Sequence, residues 1–137
     1  MEGKLNSLDI KNFVFAGKAI FTILNSLTGN RFTFKVKKAK DKELYFVSVL
    51  TGYNNDSDYQ YIGFIQNNSF NYGKKSKIGE EAMSIKTFKW FFVNINTLPT
   101  IVEVFHKGNC GKCGKTLTTP ESIKIGIGPF CLRNNKK

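Results

Sequence analysis

The 137-residue sequence is poor in the residue types on which most catalytic chemistry depends. It holds one histidine, three cysteines, one tryptophan and three prolines. The histidine and all three cysteines lie in one C-terminal stretch with metal-ligand spacing, so no separate set of nucleophile and base can be built and an enzyme is not expected. The sequence also lacks an apolar run of 18 residues and a signal peptide, so a cytoplasmic protein without a membrane span is expected.

Arginine is scarce, although the chain is strongly basic. Lysine and arginine together number 21 against 10 acidic residues, for a formal net charge of +11, yet only Arg31 and Arg133 are arginines. This charge favours a polyanionic partner. Because bidentate recognition of guanine relies on arginine, contacts with nucleic acid are expected to go mainly to phosphates. An AT-rich genome also encodes lysine by default, so codon usage is a second explanation for part of the charge.

The hydrophobic patterns predict an α+β fold built on an antiparallel β-sheet of four to five strands. Residues 1–12 show no sustained period and are expected to form an arm. One amphipathic helix, from Ser84 to about Asn96 with Ser84 as its N-cap, is expected to pack on the sheet. The predicted strands are Lys18–Leu24, Arg31–Lys38, Leu44–Leu50, Tyr59–Gln66 and Phe70–Tyr72, followed after the helix by Ile101–Phe105.

The last part of the chain carries the spacing of a small Cys₃His zinc-finger module. Cys110 and Cys113 form a Cys-x-x-Cys knuckle, and Cys131 follows a second glycine-rich turn. Three thiolates and one imidazole are a ligand set for a structural Zn²⁺, so His106, the only histidine, is assigned as the fourth ligand. A water or another side chain in that position would instead make an open site. Thr119 is expected to cap a short helix that starts at Pro120.

The predicted organisation is a sheet-plus-helix domain over residues 1–100 and a zinc-binding module over residues 101–137. Because 37 residues cannot fold on apolar burial alone, the metal is expected to stabilise the module.

The same stretch resembles a known family. The segment Val102–His106, followed by CGKCGKTLTTPESIKIGIGPFC ending at Cys131, is similar to small zinc-binding proteins of unknown function encoded by phages and prophages. Their signature is a histidine, a CGxCGRxLT knuckle, a PxSI step and a GPxC end, and Lys115 stands where the family usually has arginine. Upstream segments such as residues 28–35 and 72–80 resemble the companion domain of that family. The resemblance implies a phage or mobile-element origin and the same four zinc ligands, but no activity.

Two sets of basic residues outside the module are candidates for phosphate contact. In the alternating strand Arg31–Lys38, the side chains of Arg31, Lys35 and Lys37 share one face with Thr33, and Phe32, Phe34 and Val36 take the other. An ordinary solvated sheet face explains the same pattern. The glycine-flanked cluster of Lys74, Lys75 and Lys77 lacks the full phosphate-loop motif, which leaves a phosphate-contacting or a simply solvated loop. Within the module, Lys112, Lys115 and Lys124 are the further candidates.

Aromatic and acidic residues offer weaker signals. Five tyrosines (Tyr45, Tyr53, Tyr59, Tyr61 and Tyr72) could stack on unpaired bases, although packing within the sheet explains most of them. Tyr53 and Tyr59 flank a turn and are expected to be the exposed pair. Asp56 and Asp58 could bind Mg²⁺ or Ca²⁺, but turn formation explains them with fewer assumptions.

These observations favour a non-enzymatic, phage-type zinc protein that binds nucleic acid, either DNA or RNA, mainly through phosphate contacts. The alternative is a phage anti-defence protein, for example an anti-CRISPR protein, that inhibits a host nuclease or ribonucleoprotein by protein–protein binding. Neither hypothesis involves a membrane or a small-molecule substrate, and both place the protein in the cytosol of the host cell.

Overall fold

A computed structural model of the protein describes residues 3–54 and 57–134, and these residues form one six-stranded antiparallel sheet and four helices. The α+β class is confirmed, and the sheet has more strands than predicted. The elements are α1 (Ser7–Val14), β1 (Lys18–Asn25), β2 (Arg31–Lys38), β3 (Leu44–Leu50), β4 (Tyr59–Gln66), β5 (Ser69–Tyr72), α2 (Met83–Val93), β6 (Val102–His106), α3 (Pro120–Ile125) and α4 (Pro129–Asn134). No helix in this described part of the chain is both long and apolar enough to span a membrane.

The strands lie in the order β5-β4-β3-β2-β1-β6. Strands β1 to β5 form the predicted meander, in which each strand pairs with the next through a short connection. After α2 the chain returns to the other edge, where β6 pairs with β1 and brings His106 opposite Phe21. The strand at the start of the predicted zinc module is therefore also the sixth strand of the sheet.

The hydrophobic core lies on one face of this sheet, under α1 and α2. On α2, Phe88 contacts Phe34 and Phe70 with ring centroids 5.1 Å and 5.0 Å apart, and Phe91 contacts Phe21 at 5.7 Å. All of these rings except Phe70 are fully buried. Because side chains alternate along a strand, the residues between the core residues point to the opposite face, which we call the open face.

The N-terminal prediction was wrong. Helix α1 begins within the predicted arm, where Leu5 and Ile10 are buried. It continues to Val14, and its Phe13 is buried in edge contact with Phe21 at 6.3 Å. Leu5 also donates its backbone N–H to the carbonyl of Val104 in β6. Residues 1 and 2 of the predicted arm lie outside the described residues.

The predicted cap of α2 needs the same kind of correction. The helix begins one residue earlier than expected, its N-cap is Ala82, and no side chain caps it. Ser84 is buried inside the helix instead. Helix α3 follows its prediction, since Pro120 is its first residue and the Thr119 hydroxyl accepts a hydrogen bond from the Ser122 N–H.

Candidate metal centre and nucleic-acid interface

The structure brings the three cysteines together. The sulfur atoms of Cys110, Cys113 and Cys131 all lie within 4.8 Å of one another, and the three thiols are free rather than disulfide-bonded. A tetrahedral zinc with Zn–S bonds of about 2.3 Å separates its sulfurs by about 3.8 Å. The donor type and the spacing of the cluster therefore fit a thiophilic metal ion.

Backbone N–H groups surround the first of these sulfurs. The Sγ of Cys110 accepts hydrogen bonds from the N–H groups of Lys112 at 3.4 Å and Gly128 at 3.3 Å. Burial raises the pKa of Cys110, but hydrogen bonds from the backbone N–H groups of Gly128, Cys113 and Lys112 together outweigh burial and lower the pKa to about 7. Such a knuckle stabilises a thiolate, which is the form that binds metal.

The third sulfur behaves in the opposite way. Burial, and then its closeness to Cys113 and Cys110, raise the pKa of Cys131 to about 12. The three thiols therefore resist full ionisation as an isolated cluster, because three negative charges within 4.8 Å repel one another. A bound dication offsets this repulsion and favours the ionised form of all three thiols.

His106 lies outside this group of three. It is buried, its Nε2 is hydrogen-bonded to the carbonyl of Ile123, and its Nδ1 accepts the N–H of Gly108 at 2.9 Å. Because Nδ1 accepts a hydrogen bond, Nε2 is the ring nitrogen that donates to the Ile123 carbonyl. To serve as the predicted fourth ligand, the ring would have to leave one of these bonds and turn toward the sulfurs. In this structure its contacts tie β6 to the loop at Gly108 and to α3.

The space next to the sulfurs leaves room for another fourth ligand. A cavity of about 290 Å³ is lined by all three cysteines together with Lys115, Ser122 and Phe130. His106 lines a different depression, with Gly3 and Ile123. The sulfur side of the module therefore has room for a water molecule as the fourth ligand.

Helix α1 positions this module on the sheet. The ring of Phe13 lies 5.6 Å from the His106 ring. A Cβ atom built on Gly126 would come within 2.4 Å of the Phe13 ring. A Cβ on Gly111 would meet the same ring at 2.8 Å. Gly126 also has φ of +78° as the C-cap of α3, so both its backbone conformation and its close approach to Phe13 favour glycine there.

The open face of the sheet carries the predicted basic strand. Phe34 and Val36 are buried on the core side of β2, so Arg31, Lys35 and Lys37 point to the other side. Arg31 and Lys37 are exposed, and Lys35 places its Nζ 4.2 Å from the centre of the Tyr59 ring. Within the described residues, none of the ion pairs involves these three side chains.

The other predicted basic residues flank this strand on both sides. Lys74, Lys75 and Lys77 are exposed in the loop after β5, at the edge strand about 14 Å, or three strand spacings, from β2. At the other end of the strand order, the module carries Lys115 and Lys124, which are exposed, and Lys112, which is half-buried. The structure does not bring all nine predicted basic residues to one point.

The sequence analysis did not single out Lys18, a basic residue of the open face. Lys18 is the first residue of β1 and pairs with Lys37. Its backbone N–H donates to the carbonyl of Gly111 at 2.6 Å, and its side chain reaches 3.9 Å from a Cβ built on Gly114. Lys18 therefore joins the basic face to the cysteine knuckle. Only the pairing register of the strands, which cannot be read from a single sequence, shows that Lys18 and Lys37 are neighbours.

The aromatic residues divide between the two faces. Tyr45 belongs to the core side, where its ring packs edge-on against Phe15 at 5.2 Å. Tyr72 is half-buried against the core and donates its hydroxyl to the Ile78 carbonyl at 2.6 Å. Tyr53 is fully exposed as expected, whereas Tyr59 is half-buried. Tyr61 lies on the open face, because it pairs with Ser48 of β3, which in turn is paired with Lys35 of β2.

The carboxylate of Asp58 is used in its own turn, where its Oδ2 accepts the N–H of Asn54 at 2.8 Å. This contact agrees with the turn-forming explanation. Asp56, the other half of the acidic pair, lies outside the described residues.

The C-terminal segment thus forms a module with a three-cysteine candidate metal site, attached to an antiparallel sheet. Residues 103–136, about a quarter of the chain, match DUF6011, a family of unknown function. The match covers β6 except its first residue, the cysteine knuckle, α3 and the third cysteine, so it is a likeness of the module and not of strands β1 to β5. No curated protein and no solved structure matches the chain.

Proposed function

We propose that this chain is a non-enzymatic zinc protein that binds nucleic acid mainly through its phosphates. The observation that carries the proposal is the open-face position of Arg31, Lys35 and Lys37 on one strand, with Lys18 beside Lys37. Along β2, Lys35 and Lys37 lie about 7 Å apart and Arg31 lies about 13 Å from Lys35, so these cations form a row that can follow a phosphate backbone.

The metal has a structural role in this proposal. Zn²⁺ is the ion that best suits three cysteine thiolates in a small module, and it would hold the knuckle, α3 and α4 together. The phage or mobile-element origin of the chain rests on the resemblance of its C-terminal signature and is part of the proposal. A cytosolic location follows from the reduced thiols that such a site requires.

The salt dependence of binding tests the proposal. Fluorescence anisotropy of labelled DNA and RNA with the zinc-loaded protein, across a range of salt concentrations, gives the slope of log K against log salt. If only Arg31, Lys35 and Lys37 contact phosphates, we expect a slope of about −2 to −3. If all nine predicted basic residues contact phosphates, we expect about −6 to −8.

A charge-matched pair of variants locates the contact. The double variant Lys35→Gln/Lys37→Gln should reduce the magnitude of the slope by about 1.5 to 2. Its control, Lys11→Gln/Lys86→Gln, removes the same charge from helices α1 and α2 and should leave the slope near that of the wild type. Equal effects of the two double variants, or no binding to any nucleic acid at low salt, would refute the proposal.

A second candidate function is the binding of a protein partner, as in an anti-defence protein that blocks a nuclease or ribonucleoprotein. It is favoured by a groove of about 320 Å³ between α2 and the turn before β6, around the exposed side chains of Met83, Trp90 and Ile101. Exposed apolar side chains around a groove are typical of protein interfaces. Binding of the target protein that tolerates high salt and is lost in Trp90→Ala would support this alternative over nucleic-acid binding.

A further inference from the structure

The open face carries a column of aromatic side chains next to its basic row. Pairing places Lys37 beside Phe46 of β3 and Phe46 beside Phe64 of β4, and the next row places Lys35 beside Ser48 and Ser48 beside Tyr61. Phe46 is 42% exposed, and its ring centre lies 6.4 Å from that of Tyr61. The basic row and the aromatic column are thus neighbours over the same two rows of the sheet.

The position of Tyr61 depends on a glycine. A Cβ built on Gly73 would come within 2.4 Å of the Tyr61 ring, so the ring lies across the backbone at the end of β5. The loop with Lys74, Lys75 and Lys77 begins at the next residue. The aromatic column therefore lies between the basic row on β2 and the edge strand β5, which leads into this loop.

We propose that the open face binds an unpaired, single-stranded nucleic acid, with phosphates along the β2 row and bases stacked on Phe46 and Tyr61. This inference rests on the proposed function and names its substrate class. The aromatic column lies one to two strand spacings, about 5 to 10 Å, from the basic row. A nucleotide bridges that kind of distance between its phosphate and its base, so one bound strand can satisfy both sets of side chains.

The shape of the sheet argues against a duplex. Six strands span about 24 Å, whereas the major groove of B-form DNA is about 12 Å wide, so the sheet cannot enter it. In a duplex the faces of the bases are stacked on one another and are closed to side chains. In a single strand they are open, and sheets with exposed aromatic residues bind two or three such bases by stacking.

A second feature of the open face has room for a base. At the Arg31 end of β2, a depression of about 600 Å³ is lined by Arg31, Thr33, Leu50 and the fully exposed Tyr53. A guanidinium and a phenol ring beside an open depression match the groups on which unpaired bases stack. The bound strand would then run along β2, from the Arg31 end to the Lys37 end.

The experiment compares one labelled sequence as a single strand and as a duplex, in DNA and in RNA, by fluorescence anisotropy with the zinc-loaded full chain. We expect tighter binding of the single strand. Phe46→Ala and Tyr61→Ala should each weaken single-strand binding about 5- to 150-fold, without changing the salt slope or the affinity for the duplex. Phe46→Leu, which keeps apolar area but removes the ring, should behave like Phe46→Ala, and Phe46→Tyr should behave like the wild type.

The matched control is Trp90→Ala. Trp90 is as exposed as Phe46, at 42%, but belongs to α2 on the other side of the sheet. The Trp90→Ala variant should leave the affinity for both the single strand and the duplex unchanged.

The outcomes separate the two proposals. Salt-sensitive binding that is as tight for the duplex as for the single strand, with Phe46→Ala and Phe46→Leu neutral, would overturn the stacking inference and leave phosphate binding in place. Equal losses for both forms in the Phe46 variants would also overturn it. Binding of neither form at low salt would overturn the proposed function and this inference with it.

Discussion

Replacement of His106 separates the two roles that this residue can have. In the structure its ring accepts the N–H of Gly108 and bonds the carbonyl of Ile123, next to the Phe13 ring. In His106→Ala both backbone groups lose their partner. A buried polar group left without its hydrogen bond costs about 1–3 kcal/mol, and both groups are half-buried, so the lower end applies to each.

Loss of the ring also removes its contact with Phe13. With about 1 kcal/mol for that contact, the free energy of unfolding should fall by about 2–4 kcal/mol in total. If zinc is held by the three cysteines alone, it should remain bound at about one zinc per chain. His106→Gln keeps an N–H donor that can reach the Ile123 carbonyl, while a neutral amide is a poor zinc ligand. It should therefore recover part of the lost stability and retain the metal.

The assay combines zinc content after dialysis with chemical denaturation followed by the fluorescence of Trp90, the only tryptophan. Cys131→Ala serves as the reference for loss of a true ligand. If His106→Ala and His106→Gln both lose zinc as completely as Cys131→Ala, His106 is the fourth ligand and the hydrogen-bond reasoning is refuted. A free energy of unfolding equal to that of the wild type would refute it as well.

Two further predictions concern the module. If the module depends on a zinc ion for folding, as proposed, removal of zinc with a chelator should expose the segment from Lys107 to Lys124 to trypsin before the sheet is cut. An identical cleavage pattern with and without chelator would contradict a structural role. Gly126→Ala should lower the free energy of unfolding by about 2–5 kcal/mol, from the cost of positive φ plus collision with Phe13, which is fully buried. Gly29 has a φ of +81° and no atom near a Cβ built on it, so Gly29→Ala should lose only the stability that positive φ costs. If the two variants lose equal free energy of unfolding in denaturation experiments, collision with Phe13 is not the cause.

Much of the sheet could be predicted from sequence because its signals are local. Strands β2, β3 and β4 have the predicted bounds. Strand β2 alternates apolar and polar side chains, whereas β3 and β4 are rich in β-branched and aromatic residues, and all three end in turn-forming residues. The cysteine cluster was predictable for a similar reason, because a two-residue gap brings two sulfurs to one metal wherever the chain goes next.

Helix α1 was missed because its signal is short. Ile10, Phe13 and Val14 have helical spacing, but eight residues make little more than two turns, and such a helix is not stable alone. Its stability comes from tertiary packing, above all the burial of Phe13 against Phe21. The three- and four-residue spacing of those apolar residues was the one available signal.

The position of His106 was not predictable for a different reason. A histidine four residues before a Cys-x-x-Cys pair has the spacing of a ligand. What decides its contacts is the register of β6 with β1, which puts His106 opposite Phe21 and turns its side chain to the core face. Pairing between strands that are about 80 residues apart leaves no trace in a single sequence.

The same register joins the candidate metal module to the open face. The knuckle carbonyl of Gly111 accepts the N–H of Lys18, and Lys18 pairs with Lys37 in the basic row. A metal that fixes Cys110 and Cys113 also fixes Gly111 between them, and through it the start of β1. The ion would thereby hold two lysines of the open face in place without contacting the proposed nucleic-acid ligand itself. A structural metal at the edge of the sheet is therefore compatible with a binding surface across the open face, because the metal would hold in place the backbone that carries two of its lysines.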